Sequence, residues 1–421
     1  MSLVSSSRLL DQSGRIQRVK RSFQGPLTVY YVLISVTCML LAIGLMMVLS
    51  ASSVYSYRNF DHDSYQVFTK QLTWVIIGLP TAFIASRMPH KYLRRLAWPA
   101  LAVALLLLVL VQTSLGHTVN GNRNWLRIGP VQLQPSEIAK LAIVLWSAAV
   151  LSKKEKMLDQ TRHIFVPVLP VVLIVTALVL LGHDLGTAVV VIAIALGVLW
   201  VAGLPMWWFG TAILVASVAA WGLAASSEER RTRMTTFLSP FDHFAEEGWQ
   251  AGNGLLGMSN GGLFGRGLSA SQQKWGNLPE AHTDFIFAVI GEEWGLIGTL
   301  LVLSLFAALL WACVQLALTT EEPFVRYATA GVAVWLMVQM MINVGMVLAL
   351  LPVIGLPLPL VSYGGSALVP TLVALGLVIG FARNEPEAKA ALSDKRLGKR
   401  QGSSVGGSVG ALTRWRGRFG R

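Results

Sequence analysis

Seven consecutive residues, Leu278-Pro279-Glu280-Ala281-His282-Thr283-Asp284, bring two carboxylates and an imidazole together just before a long apolar run. These are the side chains that general acid–base chemistry uses most. Thr283 or Asp284 could instead cap the helix that follows, where a carboxylate is favoured by about 0.3–1 kcal/mol. A cap explains one acidic residue and leaves Glu280, His282, and Glu292 at i+8 on the same helical stripe without a reason. Glu137 and Lys140 stand at i,i+3, as a structural ion pair does or as a lysine offered to a phosphate group does. Arg123, Trp125 and Arg127 precede them in a short amphipathic stretch. Trp125 could stack on a sugar or mark a membrane interface. Ser362 and Tyr363 lie where Pro and Gly break an apolar run, and could bind substrate or satisfy the broken backbone.

The elements that must carry these residues are membrane spans. The 421-residue chain is 54 % hydrophobic and 13 % charged, with mean hydropathy +0.59. A soluble domain carries about a quarter charged residues, which excludes an ordinary cytosolic enzyme. The net charge of +13 sits beside long uncharged runs, so it points to lipid rather than nucleic acid. A helix needs about 20 apolar residues to cross the hydrocarbon. Such runs fall at 27–50, 71–87, 96–115, 136–151, 164–182 and 185–202, then 206–225, 284–319, 327–350 and 366–382. The sixth and seventh are separated at Gly203-Leu204-Pro205, and the ninth and tenth at Pro352 to Gly365. The expected fold is an all-α polytopic membrane protein with ten transmembrane helices. An internal N-terminus puts 24 of the 34 Lys and Arg residues inside, so both termini are expected to be cytoplasmic. One large extracytoplasmic loop, 226–283, then joins the seventh and eighth spans. Residues 1–26 and 384–421 read as basic tails, the second Gly/Ser-rich and disordered, and 27–383 as the transmembrane domain. The tails serve either as topology signal and attraction to anionic lipid or as a docking segment for a cytoplasmic partner.

In this topology the costly polar residues gather at the outer face, and the inner half has no comparable set. No pool of nucleotide cofactors exists there, so a reaction must draw its energy from a substrate already in the membrane, or the protein transports. Gly252-Asn253-Gly254-Leu255-Leu256-Gly257 fits a dinucleotide-binding pattern, but no βαβ unit surrounds it. The seven glycines between 252 and 267 read as a flexible, close-packed loop. Gly291 and Gly295 form a small-residue step that suits close helix packing. Cys38 and Cys313 fall inside apolar runs and read as inert.

The runs LPEAHTDFIFAVIGEEWGLIG (278–298), NGNRNWLRIGPVQLQPSEIAKL (120–141), HDLGT (183–187) and LPLPLVSYGGSAL (356–368) together resemble the SEDS proteins of shape, elongation, division and sporulation. The resemblance covers about residues 28–383, and its PEAHTD form is nearer the division branch than the elongation branch. It implies a ten-span fold and a peptidoglycan glycosyltransferase of the cytoplasmic membrane at the division septum. That enzyme polymerises lipid II on the outer face, with a growing undecaprenyl-pyrophosphate-linked glycan as donor. It also implies a class B penicillin-binding protein as transpeptidase partner, together with other divisome membrane proteins. Asp284 matches the family's essential aspartate, its expected catalytic base. Asn124 stands where the family often has Arg, so Arg123 is expected to carry that role. His183 replaces a usual Pro, and Pro352-Val353-Ile354-Gly355 lacks a common lysine. In the expected inverting displacement, Lys140 and Arg123 hold the departing pyrophosphate, with a divalent cation (Mg²⁺ or Mn²⁺) as a possible aid. Glu137 orients Lys140, and Glu280 and His282 shape the acceptor pocket. A lipid II flippase or transporter and a non-catalytic divisome scaffold that recruits a transpeptidase are the alternatives. The first needs midplane coupling residues and an inverted repeat, which the sequence does not show. The second needs no carboxylate at 284.

Overall fold

A computed structural model describes residues 25–119, 122–129, 131–158, 160–211, 239–244 and 248–394, with isolated positions between 214 and 237. Its helices are α1 (Thr28–Asn59), α2 (Gln66–Arg87), α3 (His90–Gln112), α4 (Pro135–Lys153), α5 (Thr161–Leu181) and α6 (Leu185–Val201). After the loop come α7 (Trp249–Gly261), α8 (Ile286–Thr319), α9 (Pro323–Val347) and α10 (Gly365–Asn384). Among the described residues, eight of these helices are long and apolar enough to cross a membrane, and α6 is a shorter apolar helix. Nine of the ten expected spans therefore appear as helices. The seventh, 206–225, lies for the most part outside the described residues, as does 223–236 of the loop that follows it.

The helices sort by what surrounds them. Windows of α2, α3 and α5 are between 22 and 33 % buried, and their Ile76, Phe83, Leu106 and Leu173 side chains face outward to lipid. Helices α4, α9 and α10 are between 67 and 78 % buried and form the centre, α9 packing on α4, α6, α8 and α10. Lipid tails are as apolar as leucine, so span association depends on close packing rather than on hydrophobic burial. Gly376 and Gly380 of α10 show it against α2. A Cβ there would come within 2.3 Å of the Ala82 carbonyl oxygen and 2.4 Å of that of Ser86.

Three local features differ from the sequence reading. Residues 116–133 form a three-stranded antiparallel meander, β1 (Gly116–Val119), β2 (Asn122–Ile128) and β3 (Val131–Leu133), where an amphipathic segment was expected. Three strands of three to seven residues are too short to present a clear period of two. The glycine-rich stretch is helix α7, packed along α8, and is not a flexible loop. Residues 386–394 are helical and Ala388 is buried, so the expected disordered tail begins as a packed segment.

The Gly291/Gly295 step divides in two. Gly291 does make a close helix contact: a Cβ on Gly261 of α7 would fall 1.9 Å from its carbonyl oxygen. Gly295 instead breaks α8, with φ 68° and ψ −162°, a conformation open to glycine. The backbone groups released by the break are taken up by the 262–267 turn. Leu296 and Ile297 donate to the Gly262 and Leu263 carbonyls, while Arg266 and Gly267 donate to those of Glu292 and Glu293. Irregular backbone at membrane depth is tolerated where protein satisfies it in this way.

Candidate active site

Asp284 lies two residues before α8, partly exposed, and does not cap the helix. The N-cap is Phe285, and no side chain supplies a cap bond. What holds Asp284 is α9. Asn343 Nδ2 donates to the Asp284 carbonyl and to the Leu356 carbonyl, each at 2.8 Å. That pair of bonds ties the start of α8 to the Pro-rich segment 352–361. Gly355, at φ +73°, faces the carboxylate, and a Cβ there would lie 3.5 Å from Asp284 Oδ2. Among the described residues no protein group donates a hydrogen bond to that carboxylate. Burial, then the nearby negative charge of Glu280, raise its pKa from 3.8 to about 7. Asn343→Ala would strip the Asp284 and Leu356 carbonyls of their donor, at about 1–3 kcal/mol for the buried Leu356 carbonyl. A lowered midpoint in thermal unfolding of the detergent-solubilised protein is the expected result.

The neighbours of Asp284 are the ones the sequence singled out. Glu280 has φ +53° and closes the turn, its carbonyl accepting from the Thr283 and Phe285 amides and its carboxylate from Thr283 Oγ1 at 2.7 Å. His282 is buried between two rings, Tyr55 at 4.8 Å and Tyr363 at 5.8 Å between centroids. Burial lowers its pKa and the Glu280 charge partly offsets that, so the imidazole is neutral at pH 7. The Tyr363 amide donates to the His282 carbonyl. Ser362 is buried, and its hydroxyl accepts from the Leu358 amide at 2.8 Å, so it satisfies the broken backbone.

Lys140 and Glu137 do form the i,i+3 pair, at 2.8 Å, but with 0 and 2 % of their side chains exposed. The ammonium also donates to Gln339 Oε1 at 3.0 Å and lies 5.0 Å from the centre of the Trp335 ring. Gln339 in turn donates to the Pro357 carbonyl. In this structure the pair is enclosed and linked through Gln339 to the 352–361 segment, as the structural alternative expects, and the ammonium is not open to a pyrophosphate. The physical reason is the polar stripe Gln339/Asn343, one turn apart on α9, which occupies the lysine. Ser136 does not cap α4; Gln134 is the N-cap and Pro135 opens the helix.

Arg123 and Trp125 sit on β2, partly exposed, with Trp125 opposite His117. Arg123 Nη2 donates to the Thr113 carbonyl at 2.6 Å, and Asn124 donates to Asp184 Oδ2. Asp184 caps α6 through the Thr187 amide and also accepts from Gln134. The sheet is thus anchored to α6 and, through Gln134 and Ser366, to α10. Among the described residues no hydrogen bond or ion pair joins this group to Asp284.

Sequence reasoning passed over three supports. Asn343 and Gln339 were legible as two polar residues at i,i+4 in an apolar helix, where each is costly. Tyr55 carried no signal. Glu292 and Glu293 were noticed without partners. Glu292 accepts from Ser271 Oγ and the Gln272 and Gln273 amides, and Glu293 pairs with Lys274 at 3.1 Å and accepts from Ser50 Oγ. Those bonds pin the segment leading into Asp284 onto α8 and α1.

A family-wide sequence pattern described as "Cell cycle protein", covering FtsW, RodA and SpoVE, matches residues 31–387. A probable peptidoglycan glycosyltransferase FtsW of Mycobacterium tuberculosis is 39 % identical over 368 residues, 87 % of this chain and 70 % of that one. The stage V sporulation protein E of Bacillus subtilis is 37 % identical over 83 % of this chain and 96 % of its own. Among solved structures, a chain of a peptidoglycan synthase complex superposes with a TM-score of 0.69 at 30 % identity, covering 85 % of this chain and 98 % of that one. The rod shape determining protein RodA of Thermus thermophilus does so at 0.62 and 31 %, covering 84 and 96 %.

Proposed function

The chain belongs to the FtsW/RodA/SpoVE cell cycle family, the SEDS proteins, and from that premise we propose how its site works. The protein is a multi-pass membrane peptidoglycan glycosyltransferase of cell division. Our reading is that it polymerises lipid II at the outer face of the cytoplasmic membrane, at the septum, beside a class B penicillin-binding protein and other divisome membrane proteins. Similarity to a chain of a peptidoglycan synthase complex supports a partner of that kind.

One observation carries the mechanism: a partly exposed carboxylate with no protein donor among the described residues, held near neutrality where the spans converge. An ideal base has its pKa near the working pH. The acceptor's 4-hydroxyl attacks the anomeric carbon of the lipid-pyrophosphate-linked glycan as Asp284 takes the hydroxyl proton. The carbon–oxygen bond to pyrophosphate breaks, and undecaprenyl pyrophosphate leaves with the electron pair. An α-linked donor gives a β-linked product in one inverting step, and the proton on Asp284 returns to water. Neutral His282 and Glu280 line the acceptor side. Arg123, with one protein hydrogen bond among the described residues, is the cation we assign to the pyrophosphate in place of the buried Lys140.

The raised pKa gives a pH prediction. A base must be deprotonated, so kcat/KM is expected to fall about tenfold per pH unit below about 7. Glu280→Gln removes the nearby charge that, after burial, raises Asp284, so the acid limb should move to lower pH. A limb that stays in place would remove Glu280 from that role.

The deciding experiment supplies lipid II to purified protein, with and without a cognate class B transpeptidase, and resolves glycan strands on a gel. Polymer made by wild type and lost in Asp284→Ala supports the mechanism. Polymer from both sinks Asp284 as base. No polymer under either condition turns the reading to a flippase or a scaffold.

A further inference from the structure

Helix α1 is 32 residues long, about 12 more than a span requires, and its last turns carry Tyr55, Tyr57 and Arg58. A row of ring contacts runs from there to the site. Lys70 Nζ stands 4.6 Å from the centre of the Phe60 ring, and Phe60 meets Tyr55 edge-on at 6.2 Å. Tyr55 lies against His282 at 4.8 Å and 32°, and His282 meets Tyr363. His282 is two residues from Asp284. Tyr55 keeps 45 % of its surface exposed and Tyr57 50 %, and both cations, Lys70 and Arg58, are exposed. The Arg58 guanidinium reaches over Gly276, where a Cβ would meet Nη1 at 2.9 Å, so it borders the same loop.

Tyrosines at membrane interfaces commonly anchor a helix among headgroups. Such an anchor has no need to pack on a buried histidine in the loop before Asp284, or to touch a second aromatic ring that carries a lysine over its face. We propose that Tyr55 and Phe60, bordered by Lys70 and Arg58, form a saccharide subsite for the sugar next to the reacting one in the lipid-linked acceptor. The apolar C–H face of a pyranose fits the face of an aromatic ring. Its hydroxyl and acidic substituents then project past the Tyr55 ring toward Lys70, which lies over the Phe60 ring, and Arg58, which lies over Gly276. The proposal rests on the glycosyltransferase reading. It assigns Tyr55 to holding the acceptor and leaves proton transfer to Asp284.

The test uses wild type, Tyr55→Leu and Tyr55→Phe in lipid nanodiscs, each checked for a single gel-filtration peak. Binding is read by saturation-transfer NMR with a soluble, uncrosslinked tetrasaccharide of alternating N-acetylglucosamine and N-acetylmuramic acid. Polymerisation of lipid II is read separately as kcat and KM. Tyr55→Leu is expected to weaken tetrasaccharide binding and raise KM by roughly three- to tenfold, with kcat nearly unchanged. Tyr55→Phe, which keeps the ring, should behave as wild type. Unchanged binding and KM in Tyr55→Leu would overturn the subsite, and so would a Tyr55→Phe as impaired as Tyr55→Leu. Should Tyr55→Leu fail to fold, Phe60→Leu replaces it and is judged by the same two readouts. Wild type that binds the tetrasaccharide through Tyr55 but makes no polymer would keep the subsite and sink the enzymatic reading. Polymerisation with no role for Tyr55 would do the reverse.

Discussion

Asp284→Ala is expected to insert, fold and bind its transpeptidase as wild type does, while polymerising lipid II about 10²–10⁴-fold more slowly. The folding half of this expectation follows from the contacts. The bonds that hold this point of the chain go to the Asp284 backbone carbonyl, from Asn343, and to the neighbouring Glu280 carbonyl. The carboxylate itself takes no protein donor among the described residues, so removing it leaves no buried partner unpaired. Burial that lifts its pKa to about 7 also opposes its charge in the folded state, and alanine does not carry that cost. The catalytic half follows from chemistry: among the described residues near Asp284, neutral His282 is enclosed by Tyr55 and Tyr363, and the Glu280 carboxylate is engaged by Thr283 Oγ1. Asp284→Asn, nearly isosteric and unable to act as a base, should match the alanine variant. A scaffold would be indifferent to it.

Lys140→Met is expected to fail for the opposite reason. Its ammonium is the counter-charge of a carboxylate 2 % exposed, and Glu137 Oε2 already lacks a partner. Removing one member of a buried pair costs about 3–5 kcal/mol, because the other charge stays in a low dielectric. Gln339 Oε1 would also lose a donor, and Gln339 holds Pro357 in the segment facing Asp284. The yield of folded protein after detergent extraction should therefore collapse. The double change Glu137→Gln with Lys140→Met removes both charges together and should restore most of that yield, and with it polymerisation. A double variant that folds and does not polymerise would return Lys140 to the substrate.

How much was legible varies from residue to residue, and the variation has a cause. The ends of α4, α5 and α6 fall within a few residues of the expected ones, because a bilayer demands about 20 apolar residues and the sequence supplies them in blocks. The cluster of Glu280, His282, Asp284 and Tyr363 was legible because polar groups beside apolar runs are rare enough to stand out. The short sheet escaped, since three short strands carry little pattern. So did helix α7, because glycine is a poor helix former and its pairing here is decided by the backbone of α8.

By itself the sequence determined the class of molecule, the positions of nine spans within the described residues, and the residue that carries the proton in our reading. Each of these is a local property: run length, charge spacing, or a short motif read along the chain. The tertiary structure decided which polar residues are enclosed by one another and which keep no protein donor among the described residues. Lys140 and Asp284 are both ionisable residues near helix ends, and nothing along the chain distinguishes them. They differ because Gln339 on α9, 199 residues away, bonds the lysine, while the carboxylate beside Gly355 has no protein donor among the described residues. Burial and partnership are properties of the packed bundle, and the same bundle sets the aspartate's pKa and brings Tyr55 against His282.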